Sequence, residues 1–402
     1  MLKALADKQW DYIVNCLFYE KTNLIYDFRV SFEQDGCISD LPTPEEISLN
    51  IPNACGWGTG MEDSVLNAGT FMEAIIARYA VTGDKSLSDI AHKVYKGMEL
   101  CASVSDKKGF VARSVSPVDN SSHYINSSRD QYTHFVYAAY KYYHSDLCCD
   151  DDRRSINRII TDIAELCIKE VVPENNYTLL REDGHPAIAC EMWGDIAPHE
   201  FLRLPMIYLA AYDITKNSKY YDLYMQYRDK ALNETSKVAE DCWAAYILLQ
   251  VQYSLRLVYE IDKDKSVKNE CLLLMKRMAE LSNRFCEGAY ETFTAPNITY
   301  KLNTPYLPWR NCPLDYQYKE PRGERAYFVP RNVENLRLAF YPIRNIGETL
   351  IVQSLCPNTM PYEPRLAILR AVMTAINCDG HMTYAPLLTL DAYWLLRQKG
   401  EI

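Results

Sequence analysis

Residues 61–104, MEDSVLNAGTFMEAIIARYAVTGDKSLSDIAHKVYKGMELCASV, are the stretch that decides the fold, because they predict a helical hairpin. From Leu66 to Tyr79, small and apolar residues recur at steps of three and four, which is the period of an amphipathic helix. The sequence TGD at 82–84 interrupts this pattern, and the same period resumes from Ile90 to Met98. The stretch therefore indicates two helices joined by a short polar turn.

The same unit recurs along the whole chain, with an irregular period of about 60–70 residues. Short polar turns such as TKNSK and CPNTMP close the hairpins, and mostly long loops separate one hairpin from the next. Twelve helices are predicted, at 3–19, 61–81, 86–104, 129–143, 153–171, 199–214, 218–235, 241–261, 265–286, 333–355, 363–377 and 386–397.

Six such hairpins can close into a ring, with the first helix in the outer layer beside the twelfth. We therefore predict an all-α fold, a single (α/α)6 toroid domain over residues 1–402, because no composition shift marks a domain boundary. The long loops would share one face and can contain short β-strands, with 109–113 as one candidate. An open α-solenoid that binds proteins is the alternative, but long irregular loops at one end favour a pocket.

The composition narrows the range of functions. The 402 residues include 43 basic and 53 acidic side chains, a net charge of −10, so nucleic acid is not an expected partner. No apolar run reaches the roughly 18 residues of a membrane-spanning helix. The start, MLKALADKQWDYIV, lacks a secretory signal pattern, so a signal is absent or was removed, and we expect a bacterial cytoplasmic or periplasmic location.

The cysteines and tyrosines also carry information. The 14 cysteines form no CxxC pair and show no zinc-ligand spacing, which favours reduced thiols and predicts neither a metal nor a cofactor. Tyrosine is abundant, with 31 residues against 11 phenylalanines. A tyrosine ring combines flat apolar area with a hydroxyl, which suits a wet cleft that stacks on sugar rings.

Residues 56–63, GWGTGMED, form the first candidate site. They lead into a predicted inner helix, whose N-terminus would face the central cavity. Three glycines in five positions permit close backbone approach, and Trp57 offers a face on which a sugar can stack. Glu62 or Asp63 would then act as an acid or a base. Ordinary helix capping is the competing interpretation of both carboxylates.

Residues 128–134, SRDQYTH, form the second candidate site. Asp130 and His134 are four residues apart and so lie on one helix face. Arg129 could hold Asp130 ionised or bind a substrate carboxylate, and Tyr132 would stack on a sugar. The competing interpretation is a capped helix with a structural histidine.

A third candidate site combines carboxylates and aromatic rings. It contains Glu191, Trp193, Asp195 and His199, for which a buried tryptophan with charged residues around it is the competing interpretation. Residues 240–243, EDCW, are a further inner-helix start that carries acids. Weaker candidates for substrate binding are Trp309, Arg310 and His381. No nucleophile elbow, P-loop, HExxH or EF-hand pattern is present.

The chain resembles the six-hairpin glycosidase superfamily over nearly its whole length. The local motifs that support this resemblance are residues 56–63 and 128–134. This superfamily contains unsaturated glucuronyl hydrolases, rhamnosidases and other bacterial glycan hydrolases, as well as polysaccharide lyases and N-acylglucosamine 2-epimerases. The glucuronyl hydrolases use aspartates at the cavity, one of them as general acid/base, and Asp130 is the position that matches such a residue. The resemblance does not align a second carboxylate, so Asp63, Glu62 and Glu191 are proposed for that role.

The leading hypothesis is a glycoside hydrolase that acts on an oligosaccharide, with uronate-containing oligosaccharides among the candidate substrates. The resemblance implies an inverting enzyme, with carboxyl groups roughly 6.5–9.5 Å apart. Epimerisation or β-elimination through His134, His199 or His381 is the second hypothesis. A non-catalytic toroid that binds glycans or proteins is the third.

Overall fold

The computed structural model describes residues 2–27, 40–240, 242–293, 308–319, 326–330, 334–359, 363–375 and 385–402. Helices dominate these ranges. In chain order the α-helices are α1 Leu2–Tyr12, α2 Pro44–Ser48, α3 Ser64–Thr82, α4 Leu87–Ser103, α5 Arg129–Tyr143, α6 Asp150–Glu170, α7 Arg203–Thr215, α8 Ser218–Thr235, α9 Ala245–Ile261, α10 Lys265–Phe293, α11 Glu334–Leu355, α12 Glu363–Ala375 and α13 Ala385–Gln398.

The helices form two concentric layers. The inner layer is α3, α5, α7, α9, α11 and α13, in which each helix contacts the next and α13 returns to contact α3. The outer layer is α4, α6, α8, α10, α12 and α1, and α1 lies against α12 and α13. The predicted all-α (α/α)6 toroid is thus confirmed, with the first helix completing the outer layer beside the twelfth.

Burial follows this layering. Residues 131–140 of α5 and 201–211 around α7 are unbroken buried runs, since an inner helix has neighbours on both sides. The outer helix α6 buries one stripe, which includes Ile156, Ile159 and Ile163. The interior of the ring is itself filled, because Tyr137 of α5 stacks on Tyr253 of α9 with ring centroids 4.0 Å apart.

Among the described residues, three antiparallel β-hairpins lie in the connections between helices. They pair β1 Phe18–Tyr19 with β2 Leu24–Ile25, β3 Thr178–Leu180 with β4 Pro186–Glu191, and β5 Leu314–Lys319 with β6 Ala326–Pro330. Short strands in the loops are therefore confirmed. The strand suggested at 109–113 is wrong, because the backbone there bonds to partners outside any sheet: Ala112 N donates to Cys101 O, and Val111 O accepts from Ser127 Oγ.

Several helix ends differ from the sequence prediction. The first helix does not continue to residue 19, because the chain passes through a π-helical turn, Ile13–Leu17, into strand β1. The predicted start of the helix at 199 is a 3₁₀ turn, Pro198–Glu200, and α7 begins at Arg203. At the end of the first helix, pairing of β1 with the nearby strand β2 overrides the local helical period. None of the helices in the described ranges is long and apolar enough to cross a membrane.

Candidate active site

The N-termini of the inner helices gather acidic side chains at one face of the ring. Inner helices run in the same direction because each outer helix returns the chain, so their N-terminal ends share that face. Glu62 and Asp63 directly precede α3, Asp130 lies in the first turn of α5, and Glu200 precedes α7. Unpaired N–H groups at helix N-termini favour negative charge at such positions.

Asp27 determines how α3 begins. Its Oδ2 accepts hydrogen bonds from Glu62 N at 2.7 Å and Asp63 N at 3.0 Å, and its Oδ1 accepts from Asn67 Nδ2 at 3.0 Å. Asp63 occupies the N-cap position but its own side chain makes no capping bond. A remote carboxylate therefore caps the helix, and the Asp63 side chain is released for other contacts.

The Asp63 carboxylate is held by two donors from neighbouring elements. Its Oδ1 accepts from Arg113 Nη2 at 3.1 Å and from Gln131 Nε2 at 3.0 Å. Arg113 and Gln131 also donate to the carbonyl oxygen of Glu62, at 2.7 and 3.1 Å. The side chain of Asp63 is still 21% exposed, so these hydrogen bonds hold the turn while part of the carboxylate remains accessible to solvent.

Glu62 is a carboxyl group whose protonation changes near neutral pH. Its Oε2 accepts from Gly58 N at 3.2 Å. Burial, and then the charge of Asp63, raises the pKa of Glu62 to about 7, against the lowering effects of Arg113 and of the Gly58 N–H. A carboxyl group with such a pKa can donate a proton to a leaving group near neutral pH.

Arg113 connects the carboxylates of α3 and α5. Burial alone would lower its pKa, but the charges of Asp63, Glu62 and Asp130 are among those that raise it. All three carboxyl groups therefore lie close enough to one guanidinium to interact with it. This common neighbour, together with the hydrogen bonds from Gln131 to Glu62 O and Asp63 Oδ1, places the first and second candidate sites of the sequence side by side.

Asp130 is anchored by an arginine from the next inner helix. Its Oδ1 accepts from Arg203 Nη1 at 2.6 Å, and the same guanidinium donates to Thr133 Oγ1 at 3.2 Å and to Gln250. The side chain of Asp130 remains 28% exposed. Asp130 is thus a partly open carboxylate on a fixed guanidinium, which suits a base that activates water.

Arg129 forms ion pairs with Glu191 and Glu200, and the charge of its sequence neighbour Asp130 also acts on it. Its Nη1 donates to Glu191 Oε2 at 3.0 Å and its Nε lies 2.9 Å from Glu200 Oε2. Consecutive helical residues point in different directions, so sequence adjacency did not identify the partner. Burial alone would raise the pKa of Glu200, but Arg203, His199 and Arg129 lower it to about 2.

Two residues of the second candidate site are buried in the core. Tyr132 is 1% exposed, and so its ring cannot stack on a sugar as expected. His134 is also buried, with its ring edge-on to Tyr253 at 5.1 Å. Burial lowers the pKa of His134 to about 3, so its imidazole is neutral and lies in the interior of the ring of helices.

The glycine-rich loop of the first candidate site is tightly built. Asn53 Oδ1 accepts from Cys55 N and Trp57 N at 3.1 and 3.0 Å, and Asn53 Nδ2 donates to Phe328 O at 3.0 Å. A side chain at Gly58, where φ is +81°, would meet Pro330 at 2.8 Å. The expected close backbone approach is therefore real, but it is made to hairpin β5–β6. Trp57 is half-buried, with the Arg113 guanidinium 5.8 Å from its ring centroid.

The third candidate site is divided between core and surface. Trp193 is buried against Phe201 and Tyr227, so it is not free to stack on a sugar. His199 Nε2 lies 3.1 Å from Glu200 Oε1, whereas Asp195 is exposed. The interpretation as a buried tryptophan with charges around it therefore describes Trp193.

Trp309 and Arg310 hold a loop together. The Trp309 indole is buried and donates from Nε1 to Asp40 O at 2.7 Å. Arg310 pairs with Asp40 at 2.9 Å and with Glu46 at 2.5 Å. Both side chains are bonded to the segment that contains α2, and substrate binding by either residue stays a prediction. His381 lies outside the described residues.

The structure adds residues that the sequence analysis did not select. Glu348 of α11 is buried, and Arg344 Nε donates to its Oε1 at 2.7 Å. Burial raises the pKa of Glu348, with Arg344 opposing and Asp63 adding to the rise. Tyr246 lies beneath the Arg344 guanidinium at 5.0 Å. The sequence signal for Glu348 was an acidic residue within the apolar period of α11. The signal for Asp27 was an aspartate directly after the apolar run at 24–26.

One group of side chains in the described part of the chain has metal-ligand spacing. His92, Cys149 and Asp152 lie together on α4 and at the start of α6, at the end of the ring opposite Asp63. His92 Nδ1 is already 2.8 Å from Asp152 Oδ2, and Tyr142 donates to the same oxygen. This group is separate from the carboxylates described above.

No protein-family model matches the chain, and no curated protein matches it by sequence. Among solved structures, a family 76 glycoside hydrolase (mannosidase), Bt3792 from Bacteroides thetaiotaomicron VPI-5482, is 10% identical, with a TM-score of 0.48 over 99% of this chain and 100% of that chain. A family 76 glycoside hydrolase from a bovine Bacteroides thetaiotaomicron strain is 11% identical, with a TM-score of 0.46 over 99% and 78%. Neither protein's activity is transferred to this chain at such identities and scores.

Proposed function

We propose that the chain is a glycoside hydrolase that cleaves an oligosaccharide at the mouth of the ring. One observation carries this proposal: Glu62, with a pKa raised to about 7, shares the neighbour Arg113 with two anchored carboxylates, Asp63 and Asp130. Glycoside hydrolysis needs a protonated carboxyl group and an ionised one on opposite sides of the scissile bond.

In the proposed mechanism, Glu62 is the general acid and Asp130 is the general base. Asp130 removes a proton from water, and the water oxygen attacks the anomeric carbon. The bond from that carbon to the leaving oxygen breaks, its electron pair stays on the leaving oxygen, and Glu62 supplies the proton. Asp63, held by Arg113 and Gln131, keeps a negative charge beside Glu62 that favours the protonated form of Glu62.

Glu62 lies two residues before α3 begins, and Asp130 lies in the first turn of the neighbouring inner helix α5. An inverting reaction between them is part of the proposal, and it requires the two carboxyl groups to stand roughly 6.5–9.5 Å apart. Arg129 is held between Glu191 and Glu200, so recognition of a uronate does not follow from its presence. Neutral and uronate-containing oligosaccharides therefore both belong among the tested substrates.

The test is incubation of the purified protein with a panel of oligosaccharides in H₂¹⁸O, with products analysed by mass spectrometry. We expect one ¹⁸O atom in the sugar that carries the new reducing end, and a loss of at least about 100-fold in turnover for Glu62→Gln and for Asp130→Asn. Asp119→Asn is the matched control, because Asp119 is an exposed carboxylate in a surface turn.

The other reaction classes give different products. An epimerase would return a product of unchanged mass, and a lyase would produce an unsaturated sugar without incorporation of ¹⁸O. Either product, or full turnover by Asp130→Asn, would contradict the hydrolase mechanism.

A further inference from the structure

Trp243 differs from the other tryptophans of the chain in its exposure. Five of the six are buried or half-buried, but Trp243 is 71% exposed. A large aromatic face in water has a free-energy cost that a functional contact would remove. The position of Trp243, two residues before α9 begins, places it at the face of the ring where Glu62, Asp63 and Asp130 lie.

The backbone around Trp243 is fixed, so the exposed indole is not the result of a loose segment. Arg284 of α10 donates to the carbonyl oxygen of Cys242, and Cys242 Sγ contacts Ala244 O at 3.7 Å. Cys242 and Ala245, on either side of the tryptophan, are buried. The chain is therefore anchored on both sides of a side chain that points to solvent.

A second aromatic ring connects Trp243 to the carboxylates. Tyr246, one helical turn further along, packs edge-to-face against the indole with ring centroids 5.3 Å apart. Burial, and then the charge of Asp130, raises the pKa of Tyr246, whereas Arg344 and Arg203 oppose the rise. Tyr246 thus contacts both Trp243 and the Arg344 guanidinium, and it lies within electrostatic range of Asp130.

We infer that Trp243 and Tyr246 form a sugar-binding subsite, in which the indole face stacks on the sugar next to the one at the scissile bond. This inference rests on the proposed function, because the subsite would bind the next sugar of the same oligosaccharide that Glu62 and Asp130 are proposed to cleave. The orientation fits, since the edge-to-face contact with Tyr246 leaves an indole face open to solvent. A pyranose presents an apolar C–H surface that matches such a face.

The consequence is a dependence on the length of the oligosaccharide. A substrate that ends at the scissile bond does not reach Trp243, whereas a longer substrate does. Trp243→Ala should therefore weaken binding of longer oligosaccharides and leave the shortest substrates unaffected. Trp243→Phe keeps a flat aromatic face and should retain most of the binding.

The experiment measures oligosaccharide binding by isothermal titration calorimetry in the Asp130→Asn protein, so that no substrate is consumed. We expect Trp243→Ala in this background to raise Kd about tenfold for the longer oligosaccharides, and Trp243→Phe to change it far less. Leu273→Ala is the matched control, because Leu273 is an apolar residue on the outer helix α10 with a similar exposure of 67%. It should leave Kd unchanged.

The outcomes separate the subsite from the proposed function. Equal Kd values with and without Trp243 would overturn the subsite and leave the hydrolase intact. Binding that depends on Trp243 in a protein that hydrolyses nothing would support the subsite and overturn the hydrolase. No binding of any oligosaccharide by the Asp130→Asn protein would overturn both.

Discussion

Replacing Asp27 by alanine should destabilise the protein, because the fully buried carboxylate of Asp27 accepts hydrogen bonds from three donors at the start of α3. The donors are Glu62 N, Asp63 N and Asn67 Nδ2, at 2.7, 3.0 and 3.0 Å. A buried donor left without a partner costs about 1–3 kcal/mol. Removing a fully buried carboxyl group whose pKa is raised by burial and by Asp63 and Glu62 offsets part of this loss. We expect a net loss of about 2–4 kcal/mol in the free energy of unfolding.

The assay is urea unfolding followed by circular dichroism at pH 7, with turnover measured in parallel. Asp119→Ala is the matched control, because Asp119 also accepts from two backbone N–H groups, Ser121 N at 3.0 Å and Ser122 N at 2.9 Å, but is exposed. Water replaces the lost acceptor there, so its loss should stay below about 0.5 kcal/mol.

The intermediate variant Asp27→Asn separates capping from charge. Its amide oxygen can still accept from Glu62 N and Asp63 N, but its NH₂ group would face the NH₂ group of Asn67. We expect a loss of about 1 kcal/mol, which is smaller than for Asp27→Ala. If Asp27→Ala destabilises no more than Asp119→Ala, the assignment of Asp27 as the cap of α3 is refuted.

Three further predictions follow from the same side chains. Because a general acid must be protonated, kcat/KM should fall as pH rises through about 7. The variant Glu62→Gln should abolish this alkaline limb of the pH–rate profile. An unchanged limb would exclude Glu62 as its source. Burial raises the pKa values of Glu73 and Asp391 in the ring interior, so the folded state binds more protons than the unfolded chain above about pH 4, and stability should decline as pH rises. Asp391→Asn should flatten this decline in a thermal-unfolding series; a slope equal to that of the wild type would contradict the assignment. Gly58→Ala should cost more stability than Gly184→Ala, because both glycines have φ near +80° but only Gly58 has an obstacle, Pro330; equal losses would show that the contact with Pro330 has no effect.

More of the fold than of the candidate site could be predicted from the sequence. An apolar repeat of about 3.6 residues, interrupted by polar turns, located the twelve helices of the ring. This repeat is visible in the sequence because every inner helix must bury its sides against two neighbouring helices. The two motifs at 56–63 and 128–134 also lie together in the structure, where both interact with Arg113. Helix ends were less predictable, as at residues 13–19, where pairing of Phe18 with Ile25 replaces the helix.

The sequence therefore determined the helices, their number and the face at which the acids accumulate, because these depend on local period and on helix direction. Only the tertiary structure decided which partner each acid has. Asp130 is bound by Arg203, 73 residues away, rather than by its neighbour Arg129, and α3 is capped by Asp27, 36 residues before Asp63. Such pairs depend on the rotation of each inner helix and on the paths of the loops. The same geometry buries Tyr132 and His134 and exposes Trp243, a difference that composition and spacing do not encode.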